Sequence, residues 1–184
     1  MGFGIELSAI KVAAKRLHKS AGKDGVTNWM LVWGGKHVEC ALLHLYTRVW
    51  QEGCVPESWK EAEISYLHKG GNKAKSEVTS YRPISLISVI AKLFTKCWLP
   101  RLVRLATPAM AKEQGCSRKR QGSLEHLWAL TELMEDCMEG RDGHAHKGVY
   151  ALFADVSIAY DQVWRSGLYS VLYTYGIRGK MFGH

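Results

Sequence analysis

The sequence has no apolar run that approaches the roughly 20 residues needed for a membrane-spanning helix. Its first residues also lack the basic region, apolar core and cleavage site of a secretory leader. These absences argue against a membrane-embedded or secreted protein. We therefore expect a soluble, intracellular chain, either nuclear or cytoplasmic.

Cysteine is scarce and unfavourably spaced. The five cysteines are an odd number and include no C-x-x-C pair, which disfavours a disulfide framework and a zinc site. The segment G-G-N-K at 70–73 lacks the G-x-x-x-x-G-K-[ST] spacing of a phosphate loop. No internal repeat is present. Disulfide-rich domains, zinc modules, Walker nucleotidases and repeat proteins are thus all disfavoured.

The composition is that of an ordinary globular domain with an excess of positive charge. Of 184 residues, 47% are hydrophobic and 23% charged, and the formal net charge is +8. A basic chain of this kind is attracted to polyanions, nucleic acid first and anionic membrane second.

Periodicity predicts a mixed α+β fold. Apolar residues recur at helical spacing in four segments, which are Ile10–Leu17, Val38–Val49, Val89–Cys97 and Leu124–Met134. Proline at position 100 is expected to kink or end the third of these helices. The segments Ala62–Tyr66 and Tyr81–Ile84 are expected to form an antiparallel hairpin with a long, basic, glycine-containing tip.

A continuous apolar run at 149–154 predicts a strand buried on both faces, and Asp155 stands at its carboxyl end. A carboxylate is costly in an apolar layer unless it is paired or coordinates a metal, and strand ends open onto clefts. From composition alone, a helix cap or a loop carboxylate is the alternative.

Five segments, in this order, resemble motifs of the reverse transcriptase (RNA-directed DNA polymerase) domain of non-LTR (LINE-type) retrotransposons. They are A-G-K-D-G-V at 21–26, V-P-E-S-W-K at 55–60, Y-R-P-I-S-L at 81–86, E-Q-G-C at 113–116 and F-A-D-V-S-I-A-Y-D at 153–161. Cysteine at position 116 departs from the phenylalanine usual in that family. The resemblance covers most of the chain, from about residue 21 to 177.

The resemblance implies helix-rich polymerase fingers over 1–148, with a small antiparallel hairpin, and the start of a right-hand palm sheet over 149–184. It further implies an RNA template, a DNA primer and dNTPs as partners, and Mg²⁺ as cofactor.

The resemblance also assigns roles to single residues. Asp155 would be catalytic as a Mg²⁺ ligand, and Lys69 and Arg82 would contact the dNTP triphosphate. Tyr160 would lie under the sugar and exclude a 2′-hydroxyl. The alternatives are solvated surface cations for Lys69 and Arg82 and a core tyrosine for Tyr160. For Asp161, a capping or supporting role is as plausible as direct chemistry.

The second metal-binding motif of that family, [FY]-x-D-D, occurs nowhere in the sequence. Because two-metal catalysis needs those aspartates, we expect a fingers-plus-partial-palm fragment that is inactive alone. One alternative is a non-catalytic, nucleic-acid-binding remnant of a decayed element. Another is an unfolded translation product.

Overall fold

The computed structural model describes residues 5–15, 21–115, 118, 122–139, 150–156 and 159–179. The helices are α1 (Leu7–Lys15), α2 (Asn28–Trp33), α3 (Gly35–Glu52), α4 (Val89–Ala106), α5 (Ser123–Glu139) and α6 (Arg165–Thr174). The strands are β1 (Ala62–His68) and β2 (Tyr81–Ile87). Short 3₁₀ turns lie at Glu57–Trp59, Val78–Ser80 and Thr107–Ala109. This mixture of helices with a small sheet is α+β, as predicted.

The chain divides into two compact units. The first comprises Met1–Leu105 with Gly176–His184, and the second comprises Ala106–Tyr175. The division at 148/149 into fingers and palm stays a prediction.

The first unit is built on a helical core. Apolar side chains from α1, α2, α3 and α4 form one cluster, in which Tyr46, Leu93 and Ile10 are fully buried. The predicted periodicity of α3 is confirmed, since Leu42, Tyr46 and Val49 lie on its buried face. The helix ends at Gly53, which has φ 72° and donates its N–H to the Val49 carbonyl, a turn that favours glycine.

Helix α4 begins where β2 ends. The Ser88 hydroxyl accepts the Ile90 N–H at 3.2 Å, which caps the first turn. Of the two effects predicted for Pro100, ending the helix is wrong, because α4 continues to Ala106, and a kink stays a prediction. A proline removes one helical hydrogen bond, and burial of Leu93 and Trp98 on the same helix offsets that loss.

The two strands form the predicted antiparallel hairpin. Pairing runs from Ala62 opposite Ile87 to His68 opposite Tyr81. Most residues of both strands are exposed on both faces of the ribbon. The hairpin therefore offers its side chains to solvent rather than to a core.

The second unit differs from the prediction in two ways. Its helix α5 covers the predicted segment, but neither α5 nor α6 has a buried residue. In the described part of the strand predicted at 149–154, no strand is assigned, since residues 150–156 have no regular structure and all are exposed. Strands β1 and β2 pair only with each other among the described residues, so no strand described in the structure pairs with this run, and the start of a palm sheet stays a prediction.

One residue far along the chain completes the first unit: Ile177 is 1% exposed there. Among the residues described, no helix is both long enough and apolar enough to cross a membrane.

Candidate functional site

The hairpin brings together two of the residues singled out in the sequence, Lys69 and Arg82. The register places Arg82 opposite Leu67, and the Lys69 N–H donates to the Ser80 carbonyl at 2.8 Å, which extends the ladder by one pair. Because side chains alternate between faces, Lys69 lies on the same face as Leu67 and diagonally across from Arg82. The two cations therefore share one face of the ribbon.

Both cations are exposed. The Lys69 Nζ donates to the Thr79 carbonyl at 2.7 Å. Neither side chain forms an ion pair with any carboxylate in the described residues. The nearby carboxylate of Glu77 accepts instead from the Thr79 hydroxyl at 3.4 Å. This face thus presents two positive charges that are available to an anion.

The loop between the two strands is held at both ends by the last residue pair of the ladder, His68 and Tyr81. His68 Nδ1 accepts the Gly70 N–H at 3.1 Å, and the Tyr81 hydroxyl donates to the Lys75 carbonyl at 3.0 Å. The two rings meet edge to face, with centroids 5.1 Å apart. Sequence reasoning missed both residues, although the signals were present: a histidine two residues before a glycine, and the tyrosine that opens Y-R-P-I-S-L.

Replacing His68 with a residue that cannot accept a hydrogen bond should lower the protection of the Gly70 N–H against exchange with solvent. In His68→Phe a ring still faces Tyr81 but nothing accepts the Gly70 N–H, so we expect its exchange with solvent to accelerate by about 2- to 10-fold. In His68→Asn the amide oxygen can accept the same N–H, as in an Asx turn, and protection should remain near wild type. NMR-detected hydrogen exchange measures both, and equal protection in His68→Phe would contradict the assignment.

The segment 21–26 lies against the base of the hairpin. A Cβ on Gly22 would stand 2.8 Å from the backbone atoms of Ile87 and Ser88, and Lys23 Nζ lies 2.6 Å from Glu61 Oε2, just before β1. This pairing raises the pKa of Lys23 and lowers that of Glu61. The A-G-K-D-G-V segment therefore contacts the start of one strand and the end of the other.

The V-P-E-S-W-K segment anchors the hairpin to the helical core. Trp59, at the end of this turn, packs against Tyr46 with ring centroids 6.1 Å apart and against Phe94 at 5.5 Å. Because Tyr46 lies on α3 and Phe94 on α4, the tryptophan joins the hairpin to both helices.

The other predicted site residues lie in the second unit. Asp155 belongs to the exposed segment 150–156, and Tyr160 and Asp161 lie in an exposed turn. Tyr160 is 95% exposed, which excludes a core tyrosine. Asp161 does not cap α6, because Trp164 holds the N-cap position.

The acidic residues described here do not form a complete magnesium site. Within those parts of the chain, no three His, Cys, Asp or Glu side chains are grouped as metal ligands would be. Mg²⁺ requires near-octahedral coordination by oxygen, and Asp155 supplies a single carboxylate. Any such site would need ligands from outside the described residues.

Comparison with known proteins gives relatives that come from mobile elements. The chain is 30% identical over 161 residues to the RNA-directed DNA polymerase from mobile element jockey of Drosophila melanogaster, covering 85% of this chain and 17% of that protein. It is also 30% identical over 156 residues to the "Probable RNA-directed DNA polymerase from transposon BS" of the same species, covering 84% and 17%. With the retrovirus-related Pol polyprotein from type-1 retrotransposable element R1 of Bradysia coprophila it shares 26% identity over 171 residues, covering 89% and 16%. No family model matches.

By their names, the first relative is an RNA-directed DNA polymerase and the second a probable one, and all three come from mobile elements. Over most of its length, the chain is homologous to part of the RNA-directed DNA polymerases of non-LTR retrotransposons. It spans less than a fifth of the length of the curated relatives it matches. The resemblance stated from the motifs is therefore confirmed.

Proposed function

We propose that this chain forms the part of an RNA-directed DNA polymerase that receives the triphosphate of the incoming dNTP. The observation that carries the proposal is the placement of Lys69 and Arg82 on one exposed face of the hairpin, without a carboxylate partner in the described residues. The homologous polymerases act on RNA templates by their names, and we extend the RNA template, DNA primer and dNTPs to this chain.

The two cations suit the phosphate groups in different ways. A lysine ammonium acts as a compact point charge, and an arginine fork can donate two parallel hydrogen bonds to phosphate oxygens. Catalysis of phosphoryl transfer consists mostly of positioning and charge stabilisation. A hairpin anchored through Trp59 to the core can hold both cations in a fixed relation.

The second unit would contribute to the same reaction in the intact polymerase. We assign Asp155 as one carboxylate ligand of Mg²⁺, an ion that neutralises charge on the phosphates when bound. The exposed ring of Tyr160 would lie under the sugar and exclude a 2′-hydroxyl. We further propose that residues 1–184 alone do not synthesise DNA, because their sequence lacks the [FY]-x-D-D motif whose aspartates the two-metal reaction needs.

Inorganic tripolyphosphate and dTTP test the hairpin site. Lys69→Gln with Arg82→Gln should weaken the binding of both ligands at least about tenfold, since hydrogen bonds from charged groups are worth about 1.5–3 kcal/mol each. The matched control, Lys73→Gln with Lys75→Gln, removes the same charge from the tip of the same hairpin and should weaken binding only slightly, because salt screens charges that do not contact the ligand. Chemical shifts in NMR titrations follow both ligands.

Equal losses in the two double variants would show that only bulk charge attracts the phosphate, and the proposed site would be wrong. A primer-extension assay with RNA template, dNTPs and Mg²⁺ accompanies the titration, and we expect no product. Synthesis that Asp155→Ala abolishes would overturn the inactivity and support the role of that carboxylate. If neither phosphate ligand binds, but RNA does in a salt-dependent way, the non-catalytic binding remnant becomes the better description.

A further inference from the structure

The hairpin has two outer edges, and proline interrupts only one of them. The Lys69 N–H donates to the Ser80 carbonyl. Because ladder bonds alternate along an antiparallel pair, the odd-numbered residues of β1 direct their N–H and C=O groups to β2, and even-numbered residues such as Ile64 direct theirs outward. Pro83 lies opposite Tyr66 and so takes an outward position on β2. Since proline has no N–H, the outer edge of β2 cannot form a complete ladder.

The outer edge of β1 has no such interruption. This edge, here called the free edge, consists of the outward N–H and C=O groups of Ala62, Ile64, Tyr66 and His68, and no strand described in the structure pairs with it. Ile64 is 47% exposed and Tyr66 is 65% exposed. The strand contains neither proline nor lysine, the residues that commonly prevent edges from pairing. An exposed apolar edge is a template for another strand, and a third strand adds stability to a two-stranded ribbon.

We propose that the free edge pairs with the free edge of a second copy of this chain, antiparallel and centred on Tyr66. In this register Tyr66 lies opposite Tyr66 of the second copy, and Ile64 lies opposite His68 of the second copy. The contact is isologous, because each pair occurs twice about a twofold axis. The outward N–H and C=O groups of all three residues then have partners, and an aromatic pair across the strands is favourable.

Charge on the other face of β1 favours a second copy as the occupant. The same register places Glu63 directly opposite Lys69 of the second copy, and opposite charges in this position stabilise a strand pair. Glu63 is exposed, and neither residue forms an ion pair among the described residues. A shift of two residues would place Glu63 opposite Leu67 or Gly71 instead. The proposal concerns association of two chains and does not rest on the triphosphate site, although both use Lys69.

Sedimentation equilibrium of the whole chain, over a concentration series to about 1 mM, tests the proposal. Ile64→Pro removes an outward N–H from each copy and leaves the ladder within the hairpin intact. It should weaken dimerisation at least about fivefold, because each copy loses one hydrogen bond. Ser85→Pro is the matched control, since Ser85 lies opposite Ile64 and is exposed. It places a second proline on the interrupted edge of β2, and dimerisation should stay within about twofold of wild type.

Two charge variants test the register. Glu63→Lys and Lys69→Glu each place like charges opposite one another, and each alone should weaken dimerisation at least about fivefold. In an equimolar mixture every lysine at these positions faces a glutamate, so the mixed dimer should form with an affinity within about twofold of wild type. Hydrogen exchange at the Ile64 and Tyr66 N–H groups should slow as the wild-type concentration rises, and exchange at Ser85 should not.

Three results would overturn the proposal: a wild type that stays monomeric throughout, equal losses in Ile64→Pro and Ser85→Pro, or a mixture of the charge variants that dimerises no better than either alone. A monomer with protected Ile64 and Tyr66 N–H groups would show that another segment of the same chain occupies the free edge, which also contradicts it. Circular dichroism checks the fold. If Ile64→Pro is unfolded, the charge variants decide, because they leave the backbone unchanged.

Discussion

Replacing Tyr46 with alanine should lower the free energy of unfolding by about 3–5 kcal/mol, as for other large aromatic side chains removed from a core. Tyr46 is 0% exposed, packs against Phe94 at 5.2 Å and Trp59 at 6.1 Å, and donates its hydroxyl to the Ile90 carbonyl at 2.9 Å. The melting temperature should fall by about 6–20 °C for a chain of this size. Thermal melting followed by circular dichroism measures it.

Tyr46→Phe is the control, because it keeps the ring and removes only the hydroxyl. We expect a loss of about 1 kcal/mol at neutral pH. Burial, and to a smaller extent the neighbouring Cys97, hold the pKa of Tyr46 far above its ordinary value. The raised pKa contributes stability that is complete below the ordinary pKa of tyrosine, about 10, and is lost as the pH rises above it. As the pH rises above that value, the free energy of unfolding of Tyr46→Phe should therefore fall less than that of the wild type. A similar melting temperature for Tyr46→Ala and Tyr46→Phe would contradict this account of the core.

Replacing Gly22 with valine should lower the free energy of unfolding by about 3 kcal/mol, the upper end of the usual range for overpacking. A Cβ at this position would stand 2.8 Å from the Ile87 carbonyl and the Ser88 nitrogen, which are backbone atoms that cannot rotate away. Ser88 caps α4, so the clash should also disturb the junction between the hairpin and that helix. Urea unfolding and the amide shifts of Ile87–Ile90 report the two effects.

Gly25→Ala provides the control in the same segment. Gly25 has φ 66°, and a Cβ there would meet nothing within 4 Å, so the substitution introduces only backbone strain of about 1–2 kcal/mol. Its effect should remain smaller than that of Gly22→Val and leave the shifts at Ile87–Ile90 unchanged. The reverse order of stability would show that segment 21–26 does not pack on the hairpin as described.

The elements that the sequence predicted well are those with strong local signals. The spacing of Leu42 and Val49 on α3 and the breaker at Gly53 are properties of the neighbouring residues, and the structure confirms them. The strand predicted at 149–154 had an equally apolar sequence. A strand, however, is stabilised by a partner, and that partner cannot be identified from the run itself.

The candidate site was predictable in part. The motifs singled out Lys69 and Arg82, but their common face follows from the register, and a slip of one residue would place them on opposite faces. Gly22 and His68 act through contacts with Ile87 and Gly70. The first contact joins residues far apart in the sequence, and the second depends on the rotamer of one ring, so neither has a signature in composition or periodicity.

The position of Ile177 has a consequence for the order of events during synthesis. This side chain is 1% exposed in a unit that combines Met1–Leu105 with the much later segment Gly176–His184. At typical rates of translation, the ribosome adds Ile177 roughly 4–14 s after Leu105. During that interval the nascent first unit has its helices and hairpin but lacks one of its most deeply buried side chains. Until Ile177 is added, the side chains that it covers in the first unit stay in contact with solvent.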